Sequence, residues 1–390
     1  MIDANRQIIA GHGRFEAAKL LGLAVVPCIC LDGLTETEIK AYLIADNQLA
    51  SRSTWDDPKL AVLLQELSDP DLDFDIESTG FEIPEIDFRI QSLETSNATD
   101  IADEFDAPTG PTVSIAGDLW FLGVHRLYCG DALDANSYAT VMGTEKATAV
   151  FADAPYNVPI DGNVSGHGRI KHPEFAMASG EMSEQEFTDF LTASLILICT
   201  YSIDGALIYS CMDWRHMKEM LAAGQISKCE LLNLCVWAKN NGGLGSFYRS
   251  AHELIFLFKN GTQPHRNNIQ FGRFGRNRQN VWNYAKVSSF ARKGTKSELE
   301  YHPTLKPTAL VADAILDSTI PKDVVLDPFV GSGTTILAAE RTGRRGFGIE
   351  IEPIYVDTAI ARWERMTGQQ ARNAAGVTFA QVRSQRSAGQ

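Results

Sequence analysis

From about residue 117 onward, short apolar runs alternate along the chain with stretches that carry helix signals. Ala149–Ala152 and Leu231–Ala238 are nearly continuous apolar runs, which are typical of strands buried on both faces. Between them, Ser183 with Glu186 three residues later forms a capping box, the signature of a helix start. This alternation predicts an α/β fold with a mostly parallel, doubly wound sheet and helices on both of its faces.

Residues 1 to about 52 predict a smaller α/β unit. The predicted strand Gln7–Ala10 is followed by a glycine loop and by a helix that begins at Arg14. A glycine loop before a helix N-terminus can bind phosphate on free backbone N–H groups, so Gly11, Gly13 and Arg14 form a candidate phosphate site. The same residues also suit a tight turn, and a single Gly-x-Gly does not decide between the two.

The next segment carries the charge imbalance of the chain. Residues 54–106 hold sixteen Asp and Glu residues against Lys59 and Arg89, a net charge of −14 that equals the net charge of the whole chain. Because the remainder is balanced, overall acidity does not exclude a nucleic-acid partner. We predict a solvated acidic connector here, with charge mimicry as the alternative.

Length and composition indicate a globular chain with room for two or three domains, since 44% of the 390 residues are hydrophobic and 22% are charged. The predicted layout is an N-terminal module over residues 1–92, a polar linker over 93–113, a main domain over 114–370 and a flexible tail over 371–390. The first residues lack the layout of a signal peptide and no apolar run is long enough to cross a bilayer, which favours a cytoplasmic protein. The seven cysteines include no Cys-x-x-Cys pair, so neither a zinc site nor a disulfide framework is predicted.

The candidate catalytic motif is Asp153-Ala154-Pro155-Tyr156, directly after the predicted strand Ala149–Ala152. In an open α/β sheet, ligands bind at the carboxyl ends of the strands. A planar group is able to stack on Tyr156 there, while Asp153 and a backbone carbonyl accept its hydrogens. Taken alone, the tetrapeptide is equally well a turn after a strand, so its weight depends on the surrounding chain.

Residues 266–296 form a basic segment that contains no acidic residue. Aromatic and amide residues are interspersed with its cations, which suits a nucleic-acid surface where cations hold phosphates and amides reach base edges. The alternative is a solvated loop with one or two core aromatic residues. The candidate DNA-binding cations are Arg266, Arg273, Arg276, Arg278, Lys286, Arg292 and Lys293.

A second glycine loop follows the predicted strand Val324–Leu326 and opens with Asp327. Its glycines let the backbone approach a nucleoside, and Glu350, at the end of the next predicted strand, is placed to accept both ribose hydroxyls. Asp327 would repel a pyrophosphate but favours the ammonium and sulfonium groups of S-adenosylmethionine. No Gly-Lys-Ser/Thr tail follows, which excludes a P-loop.

Together, the two loops resemble the amino-directed DNA methyltransferases of the permuted β arrangement, in which the catalytic half precedes the cofactor half. Asp153–Tyr156 is similar to their Asp-Pro-Pro-Tyr motif, and Asp327–Thr335 is similar to their cofactor motif. The resemblance covers about Gly117–Arg365 and includes a target-recognition insert at about residues 262–300. The resemblance implies a Rossmann-like fold. It also implies that the protein uses S-adenosyl-L-methionine to methylate N6 of an adenine that is flipped out of double-stranded DNA.

The resemblance also implies roles for individual residues. Asp153 and the carbonyl of Ala154 would accept the two amino hydrogens, Pro155 would hold Ala154 extended, and Tyr156 would stack on the base. The cofactor adenine would contact Asp131, and its ribose would contact Glu350. The other implied cofactor-binding residues are Lys306, Asp327, Phe329, Gly331, Ser332, Gly333 and Thr334. No metal is implied, because the cofactor carries the reactive methyl group.

A second resemblance concerns the N-terminal unit. Ile9–Ala18, followed by Val26-Pro27 and Tyr42–Asn47, is similar to the N-terminal domain of the ParB partition family, which binds a nucleotide phosphate with the corresponding glycine–arginine loop. The first strand and helix of that domain have no counterpart here, and Gly13 stands where partition proteins commonly have a second arginine. The implied ligand is a nucleotide, or a protein if the unit is a docking module.

Three alternatives stay open for the main domain. Cytosine-N4 methylation differs only in the target base, and the resembled family more often begins its catalytic motif with Asp for adenine and with Ser for cytosine. Protein-glutamine methyltransferases share a similar motif but place the cofactor loop first. A non-catalytic partition-type scaffold is less compatible with intact Asp153, Tyr156, Asp327 and Glu350.

Overall fold

The computed structural model divides the chain into two compact units, Met1–Leu60 and Ala61–Gln390. It describes residues 1–3, 5–52, 55–68, 72, 74–91, 101–103, 111–158, 180–239, 247–269, 278–284 and 305–388. Within these residues, no helix combines the length and the apolar character needed to cross a membrane.

In the first unit, β1 (Ile2–Asp3) pairs in parallel with β2 (Cys30–Leu31), and helices α1 (His12–Leu20) and α2 (Glu36–Arg52) follow the two strands. The predicted strand Gln7–Ala10 contributes only an isolated bridge at Ile8. Helix α1 begins two residues earlier than predicted, because Gly11 adopts a left-handed conformation (φ 92°) and serves as its N-cap. Gly13 and Arg14 therefore lie within the first turn of α1, and the phosphate site stays a prediction.

The second unit contains a large sheet, and its described strands follow the predicted alternation with helices. The strands are β3 (Leu119–Leu122), β4 (His125–Cys129), β5 (Ala147–Ala152), β6 (Ser202–Met212), β7 (Glu230–Ala238), β8 (His252–Lys259), β9 (Val281–Asn283), β10 (Val324–Asp327), β11 (Arg345–Glu350) and β12 (Arg372–Asn373). The described α-helices that follow α2 along the chain are α3 (Asp57–Leu67), α4 (Ile83–Gln91), α5 (Ala135–Met142), α6 (Glu184–Thr200), α7 (Met217–Ile226), α8 (Thr308–Ser318), α9 (Thr334–Arg341), α10 (Pro353–Thr367) and α11 (Phe379–Ala388).

The described strands of the sheet lie in the order β12-β3-β4-β11-β10-β5-β6-β8-β7-β9. The five central strands, from β4 to β6, are parallel to one another, whereas β8 is antiparallel to both β6 and β7. The predicted hairpin turns at Gly123-Val124, where β3 pairs antiparallel with β4. The predicted α/β class with a mostly parallel sheet is confirmed.

Both faces of the central sheet are covered by helices. Val150 of β5 packs in a buried cluster with Phe187 of α6, while its neighbour Phe151 packs in another cluster with Leu310 of α8. Successive residues of a strand point to opposite faces, so this pair of clusters is the reason for the continuous apolar run in β5. Helix α6 starts at the predicted capping box, in which Ser183 and Glu186 exchange hydrogen bonds.

The acidic segment is not a solvated connector throughout, so that prediction is wrong for its described helices. Ile83 and Ile86, three residues apart on α4, are buried. Asp87 is also buried and pairs with the guanidinium of Arg344 at 2.9 Å. The buried apolar residues and this ion pair anchor α4 to the second unit, while many of the other acidic groups remain exposed.

The described parts of the predicted polar linker are likewise anchored. The carboxylate of Asp103 accepts hydrogen bonds from the backbone N–H of Thr308, at 3.0 Å, and from its hydroxyl, at 2.5 Å. It thus caps the N-terminus of α8, whose first N–H groups have no partner inside the helix. Asp357 accepts from the backbone N–H groups of Val113 and Ser114.

The prediction of a flexible tail over residues 371–390 is also wrong for the residues that the structure describes. Strand β12 pairs antiparallel with β3. Phe379, at the start of α11, is 3% exposed and its ring meets that of Trp120 edge-on, with centroids 5.2 Å apart. The aromatic contact and the short strand attach this end of the chain to the sheet.

Candidate active site

Three strand ends form the candidate site. β10 lies between β5 and β11 and is parallel to both, so Asp153 after β5, Asp327 at the end of β10 and Glu350 at the end of β11 reach the same edge of the sheet. A pocket opens there, as expected at the carboxyl ends of parallel strands. Its lining includes Ala132, Asp153, Ala154, Pro155, Tyr156, Lys306, Asp327, Phe329, Gly331, Ser332, Thr334, Glu350, Ile351 and Tyr355.

Asp327 is held rigidly at the floor of this pocket. It is 4% exposed, and one carboxylate oxygen accepts the backbone N–H of Phe329 at 3.0 Å while the other accepts the hydroxyl of Thr335 at 2.5 Å. Burial, together with the nearby carboxylates of Asp153 and Glu350, raises the pKa of Asp327 to about 7.

Glu350 is fixed in a similar way. Its carboxylate accepts the backbone N–H groups of Gly331 and Glu352, each at 2.8 Å. Burial raises the pKa of Glu350 to about 7 as well, and these hydrogen bonds only partly oppose that rise. Two buried carboxyl groups that resist ionisation in the absence of a cation are suited to a ligand that brings positive charge.

The residues around these carboxyl groups fit S-adenosyl-L-methionine. Phe329, Ile351 and Tyr355 supply apolar lining for an adenosyl group, beside acceptors for ribose hydroxyls and for an ammonium. Gly333 has φ 89°, and a Cβ there would lie 2.7 Å from the Cβ of Ala359, so the loop needs glycine to pack on α10.

The other predicted cofactor residues have different surroundings. Asp131 is not among the residues that line the pocket, whereas its neighbour Ala132 is, and the carboxylate of Asp131 accepts the backbone N–H of Leu133. The side chains of Ser332 and Thr334 accept hydrogen bonds from Arg362. Their hydroxyls therefore stabilise the loop. The roles predicted for these three residues stay untested.

In the predicted catalytic motif, the hydroxyl of Tyr156 donates to Asp153 at 2.6 Å. Burial, followed by the charges of Asp153 and Glu253, raises the pKa of Tyr156 well above its usual value, so the phenol remains a donor. Ala154 is buried and contributes its methyl group to the core.

Lys306 was predicted to lie near the cofactor, and the structure places its ammonium beside the carboxylate of Asp153. Its Nζ lies 2.6 Å from Asp153, 2.9 Å from Glu253 and 3.1 Å from the hydroxyl of Tyr156. Burial opposes the charge on Lys306, but the two carboxylates outweigh it and hold the pKa of the lysine above its usual value.

Sequence reasoning missed Glu253 and Lys239. Glu253, on β8, is buried, and Lys239, directly after β7, donates to it. Burial works against the charge on Glu253, yet Lys306 and Lys239 overcome it and lower its pKa to about 2. A carboxylate inside an apolar strand was the available signal, because such a group must find a partner.

Asn157 was missed as well. It has φ 52°, a conformation that asparagine tolerates better than most residues, and it is buried. Its side chain accepts the backbone N–H groups of Gly180 and Met182 and donates to the carbonyl of Met182. The residue after the predicted catalytic motif thereby binds the start of the segment that leads into α6.

The structure describes two of the predicted DNA-binding cations, Arg266 and Arg278, and neither of them lines this pocket. Arg278 is a structural cation, since it pairs with Asp313 and Asp317 at 3.0 Å each and lies over the ring of Trp282, so its predicted role in phosphate binding is wrong.

Arg266 is exposed and lines the same cavity as Thr148. Thr148 lies at the opposite end of β5, about 16 Å along the strand from Asp153. Arg273, Arg276, Lys286, Arg292 and Lys293 lie outside the described residues.

Two family models match parts of this chain. Residues 147–361, more than half of the chain, match the family model described as DNA methylase. Residues 58–115 match the model described as ParB-methyltransferase HTH domain. The resemblance to ParB-type proteins is thus confirmed, but the match covers α3 and α4 and lies downstream of the glycine loop on which the prediction was based.

Two curated relatives are type II methyltransferases. M.ScaI of Streptomyces caespitosus is 42% identical over 91 residues, which are 23% of this chain and 29% of that protein. M.HinfI of Haemophilus influenzae is 33% identical over 242 residues, which are 56% of this chain and 63% of that protein. The chain thus spans less than two thirds of the length of each.

Among solved structures, the crystal structure of the M1.HpyAVI–SAM complex is 20% identical and covers 60% of this chain and 97% of that one, with a TM-score of 0.44. The PvuII DNA methyltransferase, described as cytosine-N4-specific, is 17% identical and covers 67% and 94%, with a TM-score of 0.47. The match of the family model rests on sequence and spans both the predicted catalytic motif and the predicted cofactor loop. The chain belongs to the DNA methylase family, and its cofactor is S-adenosyl-L-methionine.

Proposed function

We propose that this chain transfers a methyl group from S-adenosyl-L-methionine to the exocyclic N6 amino group of adenine in double-stranded DNA. The observation that carries the proposal is the position of Asp153, which lines the same pocket as Asp327 and Glu350. One pocket therefore holds an acceptor for an amino group next to carboxyl groups that suit a cationic cofactor.

An exocyclic amino group is a poor nucleophile because its lone pair is delocalised into the ring. Asp153 and the carbonyl of Ala154 accept its two hydrogens, which draws the nitrogen towards tetrahedral geometry and directs the lone pair towards the cofactor side of the pocket. When bound, S-adenosyl-L-methionine supplies the methyl group on a sulfonium. Asp327 and Glu350 hold the cofactor by its positive and hydroxyl groups.

The target base reaches this pocket only after it leaves the duplex, since a stacked and paired amino group cannot meet Asp153. Tyr156 then provides the stacking surface, and its hydroxyl keeps the Asp153 carboxylate in place. Adenine is favoured over cytosine by the Asp at the first position of the motif. Cytosine N4 is the second candidate, because the same two acceptors suit its amino group.

The N-terminal unit is a candidate for binding a nucleotide or a protein. Gly11 and the first turn of α1 offer unpaired backbone N–H groups. The match to a ParB-methyltransferase HTH domain at residues 58–115 supports a ParB-like module in front of the methyltransferase domain.

The substitution Asp153→Ala tests the assignment. Transfer of methyl groups to DNA should fall by about a thousandfold or more, while calorimetry should give a cofactor affinity within about threefold of wild type. Asp189→Asn, an exposed change on α6 outside the pocket, is the matched control and should retain full activity. Retained methyl transfer in Asp153→Ala would contradict the proposed function.

The product identifies the target base. Mass spectrometry of nucleosides from DNA treated with the wild-type protein should detect N6-methyladenine. Detection of N4-methylcytosine without N6-methyladenine would mean that the target base is cytosine, and the catalytic assignment would still stand.

A further inference from the structure

Glu253 is the buried acid of the catalytic cluster that has no place in the mechanism above. Its Oε2 lies 2.9 Å from Nζ of Lys306 and 3.2 Å from the hydroxyl oxygen of Tyr156, and its Oε1 accepts from Lys239. Among the described residues that line the pocket, Asp153, Tyr156 and Lys306 are present and Glu253 is not. Any effect of Glu253 on the reaction is therefore transmitted through these neighbours.

Both oxygens of the Asp153 carboxylate already accept a hydrogen bond. Oδ1 accepts from Tyr156 and Oδ2 accepts from Lys306, each at 2.6 Å. A further hydrogen, from the target amino group, has to share one of these oxygens. A full positive charge held by Asp153 alone would weaken the carboxylate as an acceptor, whereas an ammonium shared with a second carboxylate draws less on each.

The cluster is also balanced in charge. Asp153 and Glu253 face the ammonium groups of Lys306 and Lys239, and the side chains of Lys306 and Glu253 are only 4% and 9% exposed. In a site this shielded from water, a charge without a partner destabilises the folded state, because its desolvation is not compensated. Without Glu253 the group would carry net positive charge beside a pocket that receives a cationic cofactor.

We propose that Glu253 is a positioning residue for methyl transfer: it shares the Lys306 ammonium with Asp153 and so leaves Asp153 able to accept a hydrogen of the target amino group. This inference rests on the proposed function. It assigns to Glu253 an effect on the rate of transfer that depends on Lys306.

The first variant is Glu253→Gln, which keeps the shape but cannot share the charge. Its kcat should fall by about a hundredfold, because the ammonium of Lys306 is then paired with the carboxylate of Asp153 alone. KM for S-adenosyl-L-methionine should rise by less than about fivefold. Glu253→Asp restores the charge and should recover at least about tenfold of the lost kcat. Glu230→Gln, which removes the Glu230–Lys259 pair at the far end of β7 and β8, is the matched control and should keep wild-type kcat.

Dependence on Lys306 separates positioning from support of the fold. In a Lys306→Met background, assayed with tritiated cofactor to follow low rates, Glu253→Gln should change kcat by less than about threefold. A residue that only supports the fold would cause the same loss in both backgrounds, and that result would overturn the proposal.

The remaining outcomes are also decisive. A folded Glu253→Gln with wild-type kcat would refute the role of Glu253 and leave the proposed function standing. If Glu253→Gln does not fold, the same comparison is made with Glu253→Asp, which should lose about tenfold in the wild-type background and nothing beside Lys306→Met. A wild-type protein that binds cofactor but transfers no methyl group would overturn both the proposed function and this inference.

Discussion

Ala154 stands where the resembled methyltransferases usually carry proline. Pro155 already biases Ala154 towards an extended conformation, and the function proposed for Ala154 resides in its carbonyl. We expect Ala154→Pro to change kcat by less than about threefold, since proline keeps that carbonyl and restricts the same backbone. Steady-state methylation assays beside Asp153→Ala measure this. Activity that rises from nothing in Ala154→Pro would mean that the natural motif is impaired.

Individual site residues differ in how far sequence could locate them. Asp153, Asp327 and Glu350 each follow an apolar strand, so the general rule for strand ends predicted their shared pocket. Glu253 and Lys239 could not be placed, because Lys239 pairs with Glu253 and Glu253 pairs with Lys306, contacts that join residues distant in sequence. Arg278 was misjudged because the basic composition of residues 266–296 suggested a DNA surface. In the structure, Arg278 instead pairs with Asp313 and Asp317 of α8.

At the scale of elements, strand and helix positions in the main domain were predicted best where the apolar pattern was strong. β5 and the helix start at Ser183 match their predictions, since a buried strand and a capping box leave local signals. The acidic helix α4 was missed because charge dominated its composition. Its isoleucines at a spacing of three residues were the signal that the charge obscured.

Helix α11 provides a test at this scale. Phe379→Ala should reduce the free energy of unfolding by about 3–5 kcal/mol, because it removes a buried ring that packs on Trp120. Chemical denaturation measures the loss. Ser384→Ala, an exposed change on the same helix, should stay within about 0.5 kcal/mol of wild type. Equal stability of the two variants would mean that this end of the chain does not contribute to the fold.

For the molecule as a whole, the raised pKa values of Asp327 and Glu350 link stability to pH. A carboxyl group with a raised pKa binds its proton more tightly in the folded state than in the unfolded state. The stability that it contributes is complete below about pH 4 and is lost as pH rises through about 7. A bound cation opposes this loss of stability at higher pH, because it favours the ionised form of both carboxyl groups.

We therefore expect S-adenosyl-L-methionine to raise the melting temperature more at about pH 7.5 than at about pH 5.5. S-adenosylhomocysteine, which lacks the sulfonium charge, should show a weaker dependence on pH. Without ligand, Asp327→Asn should gain stability relative to wild type as pH rises over the same range, as measured by thermal and chemical denaturation. A difference between Asp327→Asn and wild type that stays constant with pH would contradict the assigned shift.

The two outermost strands of the described sheet, β12 and β9, are only 2 and 3 residues long. A long exposed border strand offers a row of unpaired N–H and C=O groups that another chain can extend, which is a common route to aggregation. Here the long strands β6 and β8 are paired on both sides, whereas β7 pairs with β9 only over Val236–Ala238. Within the described sheet, the stretch Glu230–Cys235 of β7 is therefore the part of the border where strand addition by another chain is expected, rather than the short strands β12 and β9.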